Sequence, residues 1–177
     1  MEACMNRLVF FVAALGVFTL DRISKFVIEA TLPLHHSISL IPGLLDLFHT
    51  RNTGVAFGLL SNEGASWVPH LLTGVAAIAL IVILIFSLSH PPGHRRLQCG
   101  LMLVFGGAAG NLLDRIKYGY VIDFIEVYYK SYHWPTFNAA DACITIGIGL
   151  LMVEVFFQKA HIEDRNILAS GEPNGNP

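Results

Sequence analysis

Four long apolar stretches dominate this sequence, and each is close to the roughly 20 residues a helix needs to cross about 30 Å of hydrocarbon. The first covers about residues 8–28 and is interrupted late by Asp21, Arg22 and Lys25. The second, about 67–88, has AAIALIVILIF at its centre and no charge. The third, about 97–113, is rich in glycine; the fourth, about 138–157, has Asp141 near its start and Glu154 near its end. A spanning helix satisfies its own backbone hydrogen bonds in lipid, whereas a loop does not. Composition agrees: 54% of residues are hydrophobic and 14% charged, with a mean hydropathy of +0.58, against about 45–50% and about 25% in soluble domains. The expected fold is therefore all-α and membrane-embedded, a single four-helix domain over residues 1–158. Outer loops are expected over about 29–66 and 114–137, followed by a disordered tail over 159–177 that ends in Gly, Asn and Pro.

Several function classes drop out early. A net charge of −2 and a pI near 6.4 provide no basic surface for nucleic acid. Cys4, Cys99 and Cys143 are far apart, with no CxxC or Cys/His cluster, so neither a zinc site nor a disulfide framework is expected. Arg7 followed by an uncharged run resembles the start of a signal peptide, but Asp21-Arg22 stands where a small-residue cleavage site belongs. A retained helix is the reading adopted. Basic residues divide almost evenly between the two sides; the longer loops are placed outside, which leaves both termini cytoplasmic.

Four antiparallel helices bring the unusual residues together. The ends of the first and third helices and the beginnings of the second and fourth share one membrane face. Asp21, Arg22 and Lys25 sit there, with Asn111, Asp114 and Arg115, and with Asn138 and Asp141; the outer loops add Asn52 and Asp123. Charge at a membrane boundary is costly unless it is paired or lines a wet cavity. Arg22 and Lys25 are long enough simply to snorkel, but the collected acids point to a polar functional site. Gly106, Gly107, Ala108 and Gly110 suit close helix packing. The segment from Pro33 to Trp67 carries Pro and Gly punctuation and reads as strands and turns. Within it Gly54 and Gly58 flank Phe57, as in a loop presenting an aromatic ring to lipid or substrate.

No GxSxG elbow, HExxH or reactive-cysteine context is present. Carboxylates remain. Two that lie close together share a proton, so one activates water while the other donates to a carbonyl. Spacing alone leaves the pair open, and Asp114 with Asp141 is favoured because both lie on helices. Two rivals stand beside hydrolysis: a proton-coupled carrier, for which no internal repeat is visible, and a Mg²⁺-dependent lipid transferase.

The motifs DRISK (21–25), RNTGVAFG (51–58), GGAAGNLLDR (106–115), YVIDFIEV (120–127) and FNAADACITIG (137–147) resemble the lipoprotein signal peptidase (signal peptidase II) family. The resemblance implies four transmembrane helices, a small outer β-cradle and an interfacial helix in the bacterial inner membrane. It implies an aspartic endopeptidase without metal or cofactor. Such an enzyme acts on diacylglyceryl-modified prolipoproteins, is active as a monomer near the outer face, and is inhibited by globomycin-type cyclic peptides. Asp123 and Asp141 match the catalytic acids, which moves the first acid from Asp114 to a loop position. Asn52, Gly54, Arg115 and Asn138 match residues at the substrate pocket, while Asp21, Lys25, Asn111 and Asp114 match supporting positions. Val55 and Ala142 depart from the family pattern, where smaller and Ser residues respectively are usual.

Overall fold

The computed structural model describes residues 2–54, 67–89 and 95–170. Helix α1 (Glu2–Thr31) leads into strands β1 (Ser37–Ile41) and β2 (Leu45–Asn52). Helices α2 (Val68–Ser89) and α3 (Arg95–Tyr118) follow, then strands β3 (Val121–Tyr129) and β4 (Tyr132–His133), and finally helix α4 (Ala139–Ser170). Among the described residues, three helical segments are long and apolar enough to cross a membrane: Val68–Ser89, Arg96–Tyr118 and Ala139–Phe157, with mean hydropathies of 2.9, 1.2 and 1.9. The expected interfacial helix is not among the described residues. Val55, Phe57 and Gly58 lie outside them.

Helix ends follow local chemistry. Pro33 stops α1, since a proline disfavours helix in the residue before it. Pro69 sits in the first turn of α2, where its missing N–H costs nothing. Gly119, at φ +78°, closes α3 and donates its N–H to Arg115 O at 3.0 Å. Helix α4 corrects an expectation by running to Ser170, well into the segment read as a disordered tail. Residues 158–168, QKAHIEDRNIL, hold no Gly or Pro and several good helix formers, so nothing breaks the helix before Gly171.

Helix α3 packs against the other three helices, and its glycines make this possible. A Cβ on Gly106 would lie 2.5 Å from Ala14 O of α1, and one on Gly107 would lie 2.6 Å from Ala140 O of α4. Gly100 and Gly147 face each other across the α3–α4 seam, each blocked by the other's carbonyl. Small residues let the backbones approach closely enough for dispersion contacts to hold them in lipid.

The strands form one antiparallel sheet in the order β1-β2-β3-β4. Pairing of β2 with β3 sets Thr50 opposite Asp123 and Asn52 opposite Val121. Side chains two residues apart share a face, so Asn52 and Asp123 meet on the diagonal. Asp123 thus lies on a strand, not in a loop as the sequence suggested. Period-2 alternation is weak in VIDFIEV, because Val121 to Phe124 are all buried.

Gly107→Ala is expected to lower thermal stability in detergent by about 1–3 kcal/mol, because the backbone of α4 blocks the new methyl. Gly16→Ala, whose methyl meets nothing within 4 Å, should leave the unfolding temperature unchanged or raise it. Equal losses in the two variants would contradict the packing described.

Candidate active site

Lys25 is fully buried, which is tolerable only for a cation whose donors are all matched. Its Nζ donates to Asp21 Oδ2 at 2.9 Å and to Asn111 Oδ1 at 2.8 Å, and lies 2.8 Å from Asp114 Oδ2. Asp21 and Lys25 are one helical turn apart, so α1 presents them on one face. Asp114 also pairs with Arg22. The resemblance puts Asp21, Lys25, Asn111 and Asp114 at supporting positions, and helix packing supplies their partners: Lys25 and Arg22 are paired inside the bundle and do not snorkel to its surface. Gly110 faces the Asp21 carboxylate, and a Cβ there would collide with it.

Asp21 uses its second oxygen to receive the Ala140 N–H at 3.3 Å, in the first turn of α4. Asn138 is the N-cap of that helix. Its Oδ1 accepts the Asp141 N–H at 3.0 Å, while Asp141 Oδ2 accepts the Asn138 N–H at 3.2 Å. This is a reciprocal capping box with Asp in the third position. Asp141 Oδ1 receives Asn111 Nδ2 at 2.7 Å. Asn111 therefore joins the Lys25 cluster to Asp141.

Asn138 also reaches the other acid, donating Nδ2 to Asp123 Oδ1 at 2.7 Å. Asp123 Oδ2 accepts Asn52 Nδ2 at 2.9 Å. Asn52 is fixed in turn by the Gly54 N–H, which donates to its Oδ1 at 2.8 Å. Gly54 has φ +92°, and any Cβ there would strike Leu72, so both turn geometry and packing require glycine. Burial raises Asp123 to about 6, and the Asp141 charge pushes the same way; hydrogen bonds from Asn52 and Asn138 and the Lys25 cation oppose this. Arg115 lies within electrostatic reach of Asp141, Asp123 and Asp114.

Asp141 opens into a cavity of about 500 Å³ walled by Trp134, Pro135, Thr136, Phe137, Ala142, Thr145 and Ile146. The volume is that of a small-molecule or peptide side-chain site. Of the residues singled out from the sequence, Asp21, Lys25, Asn52, Gly54, Asn111, Asp114, Asp123, Asn138 and Asp141 are joined in one network of hydrogen bonds and ion pairs, with Arg115 in electrostatic reach of it. The reading missed Arg22 as a fixed partner of Asp114 and missed the Trp134–Phe137 wall. Arg22 was visible as a charge inside an apolar run; the wall had no periodic signal.

The signal peptidase (SPase) II family model matches residues 13–157. The lipoprotein signal peptidase of Solibacter usitatus is 40% identical over 148 residues, 84% of this chain and 90% of that protein. That of Geobacter sulfurreducens is 38% identical over 147 residues, 83% of this chain and 91% of that protein. A solved bacterial membrane enzyme superposes with a TM-score of 0.72 at 30% identity, covering 83% of this chain and 92% of the other. A second such enzyme also reaches 0.72, at 28% identity, over 96% of this chain and 94% of the other.

The Asp123 titration has a testable sign. Its folded value near 6 lies above its ordinary 3.8, so between these values the folded chain binds more protons than the unfolded one. Asp123 therefore contributes a fall in stability as pH rises from about 4 to about 6, and no slope above that. Asp123→Asn should remove that contribution in thermal unfolding curves measured in detergent. Identical slopes in variant and parent would refute the assignment.

Proposed function

This chain belongs to the signal peptidase II family, the membrane peptidases that process lipoproteins, and we propose that it works as an aspartic endopeptidase through Asp123 and Asp141. The observation that carries the reading is Asn138, whose one side chain hydrogen-bonds Asp123 and caps the turn bearing Asp141. Charge balance supports it. The cluster holds Asp21, Asp114, Asp123 and Asp141 against Arg22, Lys25 and Arg115, so one proton shared by the pair makes it neutral. Asp21 and Asp114 are already matched by Lys25 and Arg22. The charge left to balance falls on Asp123 and Asp141, within electrostatic reach of Arg115.

Asp123, the more buried of the two and raised to about 6 by burial, takes the role of acid, its protonated form favoured as substrate fills the cavity; Asp141, on the cavity, takes the role of base. Water in the cavity gives a proton to Asp141 as its oxygen bonds to the scissile carbonyl carbon, and Asp123 protonates the carbonyl oxygen. On collapse the C–N bond breaks, Asp141 passes its proton to the departing amine, and the hydroxyl proton returns to Asp123. Arg115 steadies the oxygen on which negative charge develops. Substrate filling the apolar cavity excludes water and favours the protonated Asp123 further.

The substrate class is a diacylglyceryl-modified prolipoprotein cut on the N-terminal side of its lipidated cysteine, and globomycin-type cyclic peptides compete for the same cavity. Helix α1 completes a bundle of four spans, since Leu8, Val9, Val12, Leu15 and Ile23 leave an apolar surface exposed. Both termini are then cytoplasmic and the acids lie near the outer face of the inner membrane. The working unit in this reading is a monomer. Anchoring by the diacylglyceryl group raises the local concentration of the scissile bond at the depth of the acids. A metal-dependent transferase is less well served, because Asp123 and Asp141 spend their oxygens accepting amide hydrogen bonds.

Purified protein given a lipidated precursor should cleave it in the presence of EDTA. Asp123→Asn and Asp141→Asn should each lower the rate by about 10²–10⁴. Full activity in either variant would sink the pair, and loss of activity with EDTA would favour the metal reading. An unlipidated precursor should be cut far more slowly; equal rates would remove the role given to anchoring.

A further inference from the structure

A second cavity, which neither Asp123 nor Asp141 lines, lies between α1 and α3. It measures about 230 Å³ and is lined by Arg22, Phe26 and Glu29 of α1 and by Leu113, Lys117 and Tyr118 of α3. The two helices run parallel here: Gly106 packs on Ala14, Gly110 on Asp21, and Asp114 on Arg22. Their C-terminal ends therefore reach the same membrane face. Arg22, Phe26 and Glu29 fall on one stripe of α1, and Leu113 and Lys117 on one stripe of α3. Going outward, an arginine lies deepest and a carboxylate lies last.

The charges of this groove are of both signs. Arg22 gives one nitrogen to Asp114, and a guanidinium has further N–H donors. Lys117 is exposed; it hydrogen-bonds Tyr118 and lies 4.7 Å from the centre of its ring, is attracted by Glu29 and is repelled by Arg22, a repulsion that an anion between the two cations relieves. Exposed Leu15, Phe26 and Ile116 leave apolar surface beside the groove. At roughly 30 Å³ per water, the cavity of about 230 Å³ has space for about eight, comparable with the roughly eight non-hydrogen atoms of a phosphoethanolamine group.

We propose that this groove binds a zwitterionic membrane phospholipid of the phosphatidylethanolamine type. Its phosphate lies against Arg22 and Lys117, its ammonium against Glu29, and its acyl chains along the apolar flank of α1 and α3. Charge complementarity selects the headgroup: a phosphate alone satisfies the two cations but leaves Glu29 facing like charge. The order of charges along the helices also matches a lipid in the outer leaflet, with the phosphate deeper than the amine. The inference rests on α1 and α3 both spanning the membrane, and it is independent of the peptidase chemistry.

Native mass spectrometry of the full chain in mild detergent tests it, with phosphatidylethanolamine, phosphatidylglycerol or inorganic phosphate added. The parent protein should retain one phosphatidylethanolamine in preference to phosphatidylglycerol. Lys117→Gln should weaken retention of both lipids about fivefold, and Glu29→Gln should erase the preference between them. Equal retention of both lipids by the parent, or unchanged retention in the variants, would overturn the proposal. So would displacement of the lipid by millimolar inorganic phosphate, which would mark a site for free anions. Cleavage of a lipidated precursor by both variants should stay within about twofold of the parent, as for surface changes generally. Lipid retention with no cleavage in any protein would sink the peptidase reading and leave this one standing.

Discussion

The ammonium group of Lys25 is the constraint on which the rest of this structure depends. A cation with no exposure inside a bundle of apolar helices is stable only if its partners are fixed in advance, and here they come from two helices. Asp21 stands on the same helix, while Asn111 and Asp114 come from α3. Each partner is thereby committed. Asp21 has one oxygen left for the first turn of α4, Asn111 has its amide nitrogen left for Asp141, and Asp114 has one oxygen left for Arg22. The Asn111 oxygen accepts from Lys25 and from Asn138 Nδ2, which turns its amide nitrogen toward Asp141. Lys25 thus fixes which end of Asn111 meets Asp141 without touching that acid.

Close helix contact is what makes so small a network possible. The Asp21 carboxylate reaches α4 past Gly110, and α3 lies within backbone distance of Ala14 and Ala140 because Gly106 and Gly107 lack side chains. Polar groups of short reach, Asp and Asn, can then span three helices. The sheet supplies the remaining acid, Asp123, from β3. Burial of Asp123 beneath it explains why that carboxyl titrates near 6 rather than in the usual range.

Much of this was legible in the sequence, for physical reasons that differ by element. Helix positions followed from uninterrupted apolar runs, and parity then gathered Asp21, Asn111, Asp114 and Asp141 at one face. The stripe pairing Asn138 with Asp141 was visible as a spacing of three, although its meaning as a capping box needed the helix start to be placed. The strand carrying Asp123 was not legible, because a segment buried over four successive residues lacks the alternation that marks a strand. Nor was the partner of Asp114. Helix periodicity offers Arg115 or Asn111 as neighbours, and only packing between α1 and α3 supplies Lys25 and Arg22. The extension of α4 beyond residue 157 was hidden by its polarity, since the search for spans follows hydropathy rather than helix propensity.

The cap at Asn138 ties the start of a helix to the distance between two acids. Helix termini are the first parts of a protein to open, at a fraction of the free energy of global unfolding. Release of this single turn would withdraw the Asn138 amide from Asp123 and free Asp141 to swing with the loosened backbone. One turn of backbone therefore sets the spacing of both acids, and Asn138 and Ala140, with no exposed surface, hold that turn inside the bundle.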